Sequence, residues 1–268
     1  MSQQAATFRR MHGGPEPLRL PNAWDAGSAR LFESLGASAI ATTSAGVAWA
    51  QGYADGGKMP ADVAIAAAAS MARVLRVPLS VDMENGYSDD AKAVGETVRR
   101  LLDVGVAGIN IEDGTAAPDN LAAKIEAVKD AASKSGSDIF VNARTDVFLA
   151  NLVDASKRVD ETLSRGATYR AAGADGLFVP ALRDAAEIVT IVEGVGLPIN
   201  LMAWPGLAAS DELGRLGVRR LSAGSGISQM LWGQAERLAR DFLDTGRSES
   251  MAEGSMPYGQ LQALFAGK

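Results

Sequence analysis

The chain contains no cysteine. That excludes disulfides, thiolate metal sites and a cysteine nucleophile. There is one histidine, His12, so a metal site built on two imidazoles is impossible. His12 lies in a Gly-flanked lead segment, residues 1–16, and reads as a surface residue rather than a catalytic base. No stretch approaches the roughly 18 uninterrupted apolar residues of a membrane span. The opening Met-Ser-Gln-Gln-Ala-Ala-Thr-Phe-Arg-Arg has no apolar core followed by a cleavage site, so no secretory signal is expected and a cytoplasmic location is. Lys plus Arg number 26 against 32 Asp plus Glu, a formal net charge of -6. With no basic run, neither nucleic acid nor a membrane is expected as a partner.

What is present is a rhythm. Hydrophobic residues make up 47% of 268 positions, ample for a large core, and 29 glycines suit many short connections. Two small domains would fit this length, but α/β barrels routinely use about 250 residues as one domain. Strands are expected at residues 18–20, 39–43, 79–82, 108–112, 140–144, 176–179, 199–202 and 219–223. Helices are expected at 25–35, 61–76, 90–104, 120–135 with Asn120 as N-cap, 154–172, 183–195, 211–216 and 225–243. Residues 44–60 read as a Gly-rich loop. The helix-to-strand joins recur as Gly36-Ala-Ser-Ala, Gly105-Val-Ala-Gly, Gly173-Ala-Asp-Gly and Gly217-Val-Arg-Arg, each glycine ending its helix in the left-handed conformation.

Strands alternating with helices imply a parallel sheet. Eight such units fit a closed (β/α)8 TIM-type barrel over residues 1–245. The alternative, an open doubly wound sheet, would want Gly-x-Gly-x-x-Gly after its first strand, and Leu20-Pro-Asn-Ala-Trp-Asp is unlike it. Residues 246–268 read as a linker and helical tail. There Leu261, Leu264 and Phe265 share one helical face, suited to packing on the barrel or on a neighbouring subunit.

Chemistry in a parallel barrel sits at the C-terminal ends of its strands. Those ends supply Asn22, Trp24 and Asp25; then Thr43, Ser44, Ala45 and Gly46, with Asp55 further along that loop; then Asp82 and Glu84. Next come Glu112 and Asp113, then Asn142, Arg144 and Asp146, and finally Asn200 and Ser222. Asp82 and Glu84 are alternate residues after the strand 79–82, so an extended chain would point both carboxylates to one side. Carboxylates held close raise each other's pKa unless a cation lies between them. Hard oxygen ligands favour Mg2+, Mn2+ or Ca2+, and Asp82, Glu84 and Glu112 read as a Mg2+ site with several waters retained. Arg144 ends an apolar strand, where its guanidinium suits a substrate carboxylate. The competing structural use is an ion pair with Glu112 or Asp146. The small-residue turn Thr43-Ser44-Ala45-Gly46 offers backbone N–H groups to a carboxylate or phosphonate.

The segments Pro21-Asn-Ala-Trp-Asp-Ala-Gly-Ser-Ala-Arg, Thr42-Thr-Ser-Ala-Gly-Val-Ala, Ser80-Val-Asp-Met-Glu-Asn-Gly-Tyr, Ile109-Asn-Ile-Glu-Asp and Val141-Asn-Ala-Arg-Thr-Asp resemble the isocitrate lyase / phosphoenolpyruvate mutase superfamily, in order from about residue 18 to 230. The resemblance implies a (β/α)8 barrel, Mg2+ (or Mn2+), and chemistry on an α-keto or α-hydroxy carboxylic acid through a pyruvate-type enolate. It also implies a homotetramer, or a dimer, with the last barrel helix often exchanged. By motif, Thr43, Ser44 and Ala45 would grip the substrate carboxylate, with Trp24, Asn200 and Arg144 also at the substrate. Asp55 matches a loop acid used in binding or catalysis. Asp82 matches the principal metal ligand, Glu84 a position often held by aspartate, and Glu112 another acid of the metal shell.

One departure shapes the expected reaction. Lyases of the group carry Lys-Lys/Arg-Cys-Gly-His after the fourth strand. Here Glu112-Asp-Gly-Thr-Ala-Ala-Pro-Asp-Asn-Leu121 is shorter and has neither cysteine nor histidine, leaving Asn120 and Thr115. After the sixth strand Pro180-Ala-Leu182 replaces the usual glutamate. Decarboxylation or a related carbon–carbon cleavage therefore fits better than 2-methylisocitrate or isocitrate cleavage by the usual acid/base. Phosphoenolpyruvate mutase or phosphonopyruvate hydrolase chemistry is the alternative, although only Arg144 and the distant Lys58 supply positive charge. A carboxylate-binding barrel without turnover is the third reading.

Overall fold

The computed structural model describes residues 3–266. Its strands are β1 (Leu18–Leu20), β2 (Asn22–Ala23), β3 (Ile40–Thr42), β4 (Leu79–Asp82), β5 (Gly108–Glu112), β6 (Phe140–Arg144), β7 (Gly176–Phe178), β8 (Ile199–Met202) and β9 (Arg220–Ser222). The helices are α1 (Gln3–Met11), α2 (Ala26–Ser34), α3 (Ser44–Ala50), α4 (Ala61–Val74), α5 (Ala91–Asp103), α6 (Pro118–Lys134), α7 (Arg158–Ala171), α8 (Ala185–Val195), α9 (Ser210–Arg215), α10 (Gly226–Thr245), α11 (Glu249–Ala252) and α12 (Tyr258–Phe265).

All neighbouring strands pair in parallel, and β1 and β2 bring the ring together. β1 pairs with β9, whereas β2 pairs with β3. β1 is the expected first strand, 18–20; β2 is an unexpected continuation of it beyond Pro21, which has no N–H for the ladder. The fold is a TIM-type barrel with helices around it. Among the described residues no helix is long and apolar enough to cross a membrane.

Local chemistry sets the boundaries. Asp25 caps α2 in a reciprocal box with Ser28, and Asp184 caps α8 by accepting from the N–H groups of Ala186 and Glu187. Such caps stabilise a helix by about 1 kcal/mol each. Gly36, Gly105, Gly173 and Gly217 all have positive φ, as the repeated joins predicted.

Among the differences from expectation, three have a clear local origin or form. Residues 44–50 form α3 instead of loop, because Thr43 Oγ1 accepts from the Gly46 N–H and starts the turn. Gly46 reads as a loop residue but is needed for space: a Cβ there would lie 2.6 Å from Thr43 Cγ2. α6 begins at Pro118, not at Asn120, because proline's missing N–H is harmless in a first turn. Residues 155–157 form a separate 3-10 turn before α7.

Each strand alternates. On β5, Ile109 and Ile111 point outward into the layer shared with α5 and α6, where Val94, Val98, Leu121 and Ile125 are buried. Burying such a side chain contributes about 1.5–3 kcal/mol. The alternate residues Gly108, Asn110 and Glu112 therefore face the barrel interior, which is unusually polar: Ser80, Asn110, Asn142, Asn200, Arg220 and Ser222 are all buried.

The N-terminal end is plugged by α1. Phe8 packs with Leu18, Leu20, Ala41 and Phe140 in a second apolar cluster. Gly108 makes room for it, since a Cβ there would meet Phe8 Cε1 at 2.6 Å. His12 belongs to this plug and is 4% exposed, not a surface residue. Its ring stacks on Phe140 at 4.1 Å, and Nδ1 lies 2.8 Å from the Phe8 carbonyl oxygen. Reading His12 as a surface residue missed that Phe8 and His12, four apart, share one face of α1. At the other end of the chain α12 lies against α2, and Arg30 Nε donates to the Leu264 carbonyl at 2.8 Å.

Candidate active site at the C-terminal mouth of the barrel

Two cavities open among the strand ends. The smaller, about 100 Å3, is lined by Thr43, Ser44, Ala45, Asp55, Asp82 and Arg144, together with Asn22, Asn110 and Ser222. A cavity of this size suits a small acid and not a cofactor-sized ligand. The larger, about 460 Å3, lies between the segments following β4 and β5 and is lined by Glu84, Asn85, Glu112, Thr115, Asn120 and Lys124.

The structure thus divides the expected residues. Asp82 ends β4 and faces the small cavity. Its Oδ2 accepts from the Ser44 N–H at 3.3 Å, and its Oδ1 from the Glu84 N–H at 3.4 Å. Glu84 does not continue the strand. It has φ 51, in the left-handed region, within a turn where the Gly86 N–H meets the Met83 carbonyl at 2.8 Å. The two-residue alternation that would align it with Asp82 holds only for extended backbone. Its Oε2 accepts instead from the Gly57 N–H, tying down the loop that carries Asp55. Oε1 is buried without a hydrogen-bond partner.

Glu112 and Arg144 sit in register on β5 and β6, and Nη1 meets Oε2 at 2.6 Å. The opposite edge of the guanidinium is held by Asp146, with Nε to Oδ1 at 2.7 Å and Nη2 to Oδ2 at 3.0 Å. Both anticipated structural ion pairs are therefore made, and Arg144 still lines the cavity. Burial works against its charge, but Glu112 and Asp146 outweigh that and raise its pKa. Burial pushes the Glu112 carboxyl up to about 8; Arg144 pulls it down, and Asp82, Asp146 and Glu84 push it further up. Glu84 is also raised, by burial first and then by Asp55 and Asp82.

Trp24 and Asn200 lie outside the small cavity. Trp24 faces α10 beside Leu231 and Trp232, and its ring meets Phe32 edge-on at 6.0 Å. The residue follows β2, but the start of α2 turns its side chain to the outer layer. Asn200 is fully buried on β8, below the rim, and its Oδ1 accepts from Ser222 at 3.3 Å. Asp113 is also buried, receiving Arg165 at 2.8 Å, Tyr169 at 2.6 Å and the Asp146 N–H at 3.0 Å. It fixes the segment that carries Asp146. Sequence reasoning overlooked Asn110, although its place between two outward isoleucines in Gly108-Ile-Asn-Ile-Glu marks it as inward-facing.

Among the described residues, no three His, Cys, Asp or Glu side chains are grouped closely enough to hold a metal ion on their own. Asp82, Glu84 and Glu112 are therefore not a ready-made set of direct ligands, because Glu84 turns to the loop and Glu112 to Arg144. The chemistry of the donors nevertheless fits a hard divalent cation. All are carboxylate oxygens, two of them carry pKa values raised first by burial and further by neighbouring carboxylates, and one buried oxygen of Glu84 is unpartnered. Mg2+ keeps several waters and needs only one or two carboxylates directly, which Asp82 and its neighbours can supply.

A parallel barrel with an acid-rich mouth around a buried arginine defines a class, and comparison with known proteins names it. The profile of the phosphoenolpyruvate phosphomutase family matches residues 8–243. The chain belongs to this family, within the phosphoenolpyruvate mutase / isocitrate lyase superfamily of lyases and mutases. It is 38% identical to an uncharacterized protein of Mycobacterium tuberculosis H37Rv over 96% of this chain and 95% of that protein. It is 28% identical to 2-methylisocitrate lyase of Bacillus subtilis, over 73% of this chain and 65% of that enzyme. Oxaloacetate decarboxylase of Ectopseudomonas mendocina is 33% identical over 57% of this chain and 54% of its own length.

Proposed function

We propose that the protein is a Mg2+-dependent lyase that breaks a carbon–carbon bond of a small α-keto or α-hydroxy acid and releases or processes a pyruvate-like enolate. The oxaloacetate decarboxylase and 2-methylisocitrate lyase relatives support this reading, with Mn2+ as a substitute ion. The observation that carries it is the shared small cavity: Asp82 and Arg144, from different strands, face the same space of about 100 Å3. A bound divalent ion would supply Lewis acidity where an oxygen becomes negative.

The chain's own groups supply the rest. Asp146 clamps one edge of Arg144, so the Nη1 edge, shared with Glu112, is the edge that addresses a substrate carboxylate. Glu112 lies beside that edge, its carboxyl pushed up to about 8 by burial while Arg144 pulls it down, and is the first candidate for proton transfer there. Asp55 faces the cavity from a loop held by Glu84 and is the second candidate for acid/base work. Ser44 and Ala45 line the same cavity with small side chains, leaving room for the acid. A homotetramer or dimer is part of the proposal, and the exposed Met230, Leu231 and Trp232 on α10 support it.

Steady-state turnover of oxaloacetate, 2-methylisocitrate and phosphonopyruvate, with and without Mg2+, tests the reading. Mg2+-dependent turnover of either carboxylic acid is expected. Turnover of phosphonopyruvate alone would replace it with phosphonate chemistry. No turnover, accompanied by Mg2+-dependent oxalate binding, would make the protein a carboxylate-binding barrel.

A further inference from the structure

Asn110 sits at the centre of the polar interior. It stands in register with Asp82 on one side and with Asn142 on the other, and it lines the small cavity. Its Oδ1 accepts two hydrogen bonds, from Asn142 Nδ2 at 2.9 Å and from Arg220 Nη2 at 3.1 Å. Arginine has only donors. Turning the Asn110 amide over would set its NH2 against the Arg220 N–H, so the usual ambiguity between oxygen and nitrogen is removed here.

Arg220 itself is held from below. It is 1% exposed, and its guanidinium lies 5.7 Å from the centre of the Phe8 ring in the α1 plug. It has no carboxylate in hydrogen-bond contact, and its Nε and Nη1 are buried without partners. A buried cation left this short of partners is costly as pure structure. Beside a long contact from Nη2 to Ser80 Oγ at 3.5 Å, what it does make is the bond that fixes Asn110. With Oδ1 engaged twice from within the barrel, Nδ2 is the polar atom of Asn110 left for the cavity, and it donates to none of the described residues.

We propose that Asn110 is a substrate-binding residue whose Nδ2 donates to an oxygen of the bound α-keto or α-hydroxy acid, and that Arg220 is a positioning residue that fixes its amide. This rests on the function proposed above. A neutral donor beside Asp82 orients an oxygen without adding charge to a mouth already rich in acids. Exchanging it for an acceptor would repel the same oxygen.

Oxalate binding in the presence of Mg2+, measured by calorimetry on the full chain, provides the test. Asn110→Leu should weaken oxalate by about 10- to 100-fold, the worth of a hydrogen bond to a charged group, and Asn110→Asp by more. Arg220→Met should weaken it in the same direction, and Arg220→Lys, which keeps a donor, should restore most of the affinity. The double variant Asn110→Leu/Arg220→Met should bind no worse than Asn110→Leu, because residues acting through one contact are not additive. Should Arg220→Met fail to fold by thermal melting, Arg220→Lys and Asn110→Ser carry the same comparison. Undiminished binding by Asn110→Leu, with the unaltered protein binding well, would overturn this inference alone. Additive losses would remove the positioning role of Arg220. Failure of the unaltered protein to bind oxalate would overturn the proposed function, and this inference with it.

Discussion

The floor and the mouth of the barrel carry charge in opposite ways. At the floor, Arg9 bridges Asp138 and Asp175, and Lys129 joins Asp175 from α6. Two cations answer two anions, and the apolar plug of α1 covers the rest. At the mouth, Arg144 faces Glu112 and Asp146 together, with Asp55, Asp82 and Glu84 close by. One strand-and-helix repeat builds both ends, so the difference is not one of architecture. The floor is balanced by its own residues. The mouth keeps a negative surplus that a cation from outside can relieve, which is the arrangement expected of the chemical end of such a barrel.

The sharpest way to break this contrast is Asp82→Ala. It should remove metal-dependent turnover and weaken Mg2+ by more than about 100-fold, beyond what loss of a supporting residue costs. Full rate with an unchanged Mg2+ requirement would sink the metal role. Arg144→Ala should cost roughly 2–5 kcal/mol of carboxylate affinity, because it leaves the bound anion and Glu112 without their cation. Arg144→Lys should recover little, since a lysine lacks the fork that engages Asp146 on one edge and Nη1's partner on another. An unaltered Michaelis constant in both would assign Arg144 to structure.

Smaller effects are expected at the floor. Burial pushes the His12 ring down to about 3 from its ordinary 6.5, aided by the nearby Arg220. The folded protein therefore keeps it neutral, whereas the unfolded chain takes up a proton below 6.5. Stability from this residue is complete above pH 6.5 and falls, by up to about 1.4 kcal/mol per pH unit, as the pH drops towards 3. Denaturation of the His12→Gln variant should show a shallower acid limb; an identical limb would place the acid sensitivity elsewhere. Arg9→Ala should be the mildest change. Its side chain is 39% exposed, so solvent screening limits the loss to about 1 kcal/mol or less. Oxalate binding should not move, and a clear loss of it would show that the two ends are coupled.

The repeat itself was plain in the sequence. Glycines such as Gly105 and Gly173 stop a helix and start a strand within a few residues, a local event that needs no tertiary information. Asp82, Glu112 and Arg144 were legible because each is a charged residue closing an otherwise apolar strand. Glu84 was misplaced because one left-handed residue cancels the alternation on which its expected direction relied. Trp24 was misplaced because the turn into α2 decides which layer it enters. His12 was read as exposed because glycines follow it, while its partner Phe140 lies far along the chain. Asn110 and Arg220 went unremarked because each alone is one polar residue in a strand; their meaning comes from meeting across the barrel.

Strand and helix periodicity already determined the class of fold, and acids and an arginine at strand ends singled out one end of it as the candidate site. Those are patterns of neighbours in sequence, set by two-residue and 3.6-residue repeats. Only the closed ring decided which carboxylate meets Arg144, which amide atom faces the cavity and what the plug covers. Such choices depend on distances between strands far apart in the chain, and no local pattern contains them.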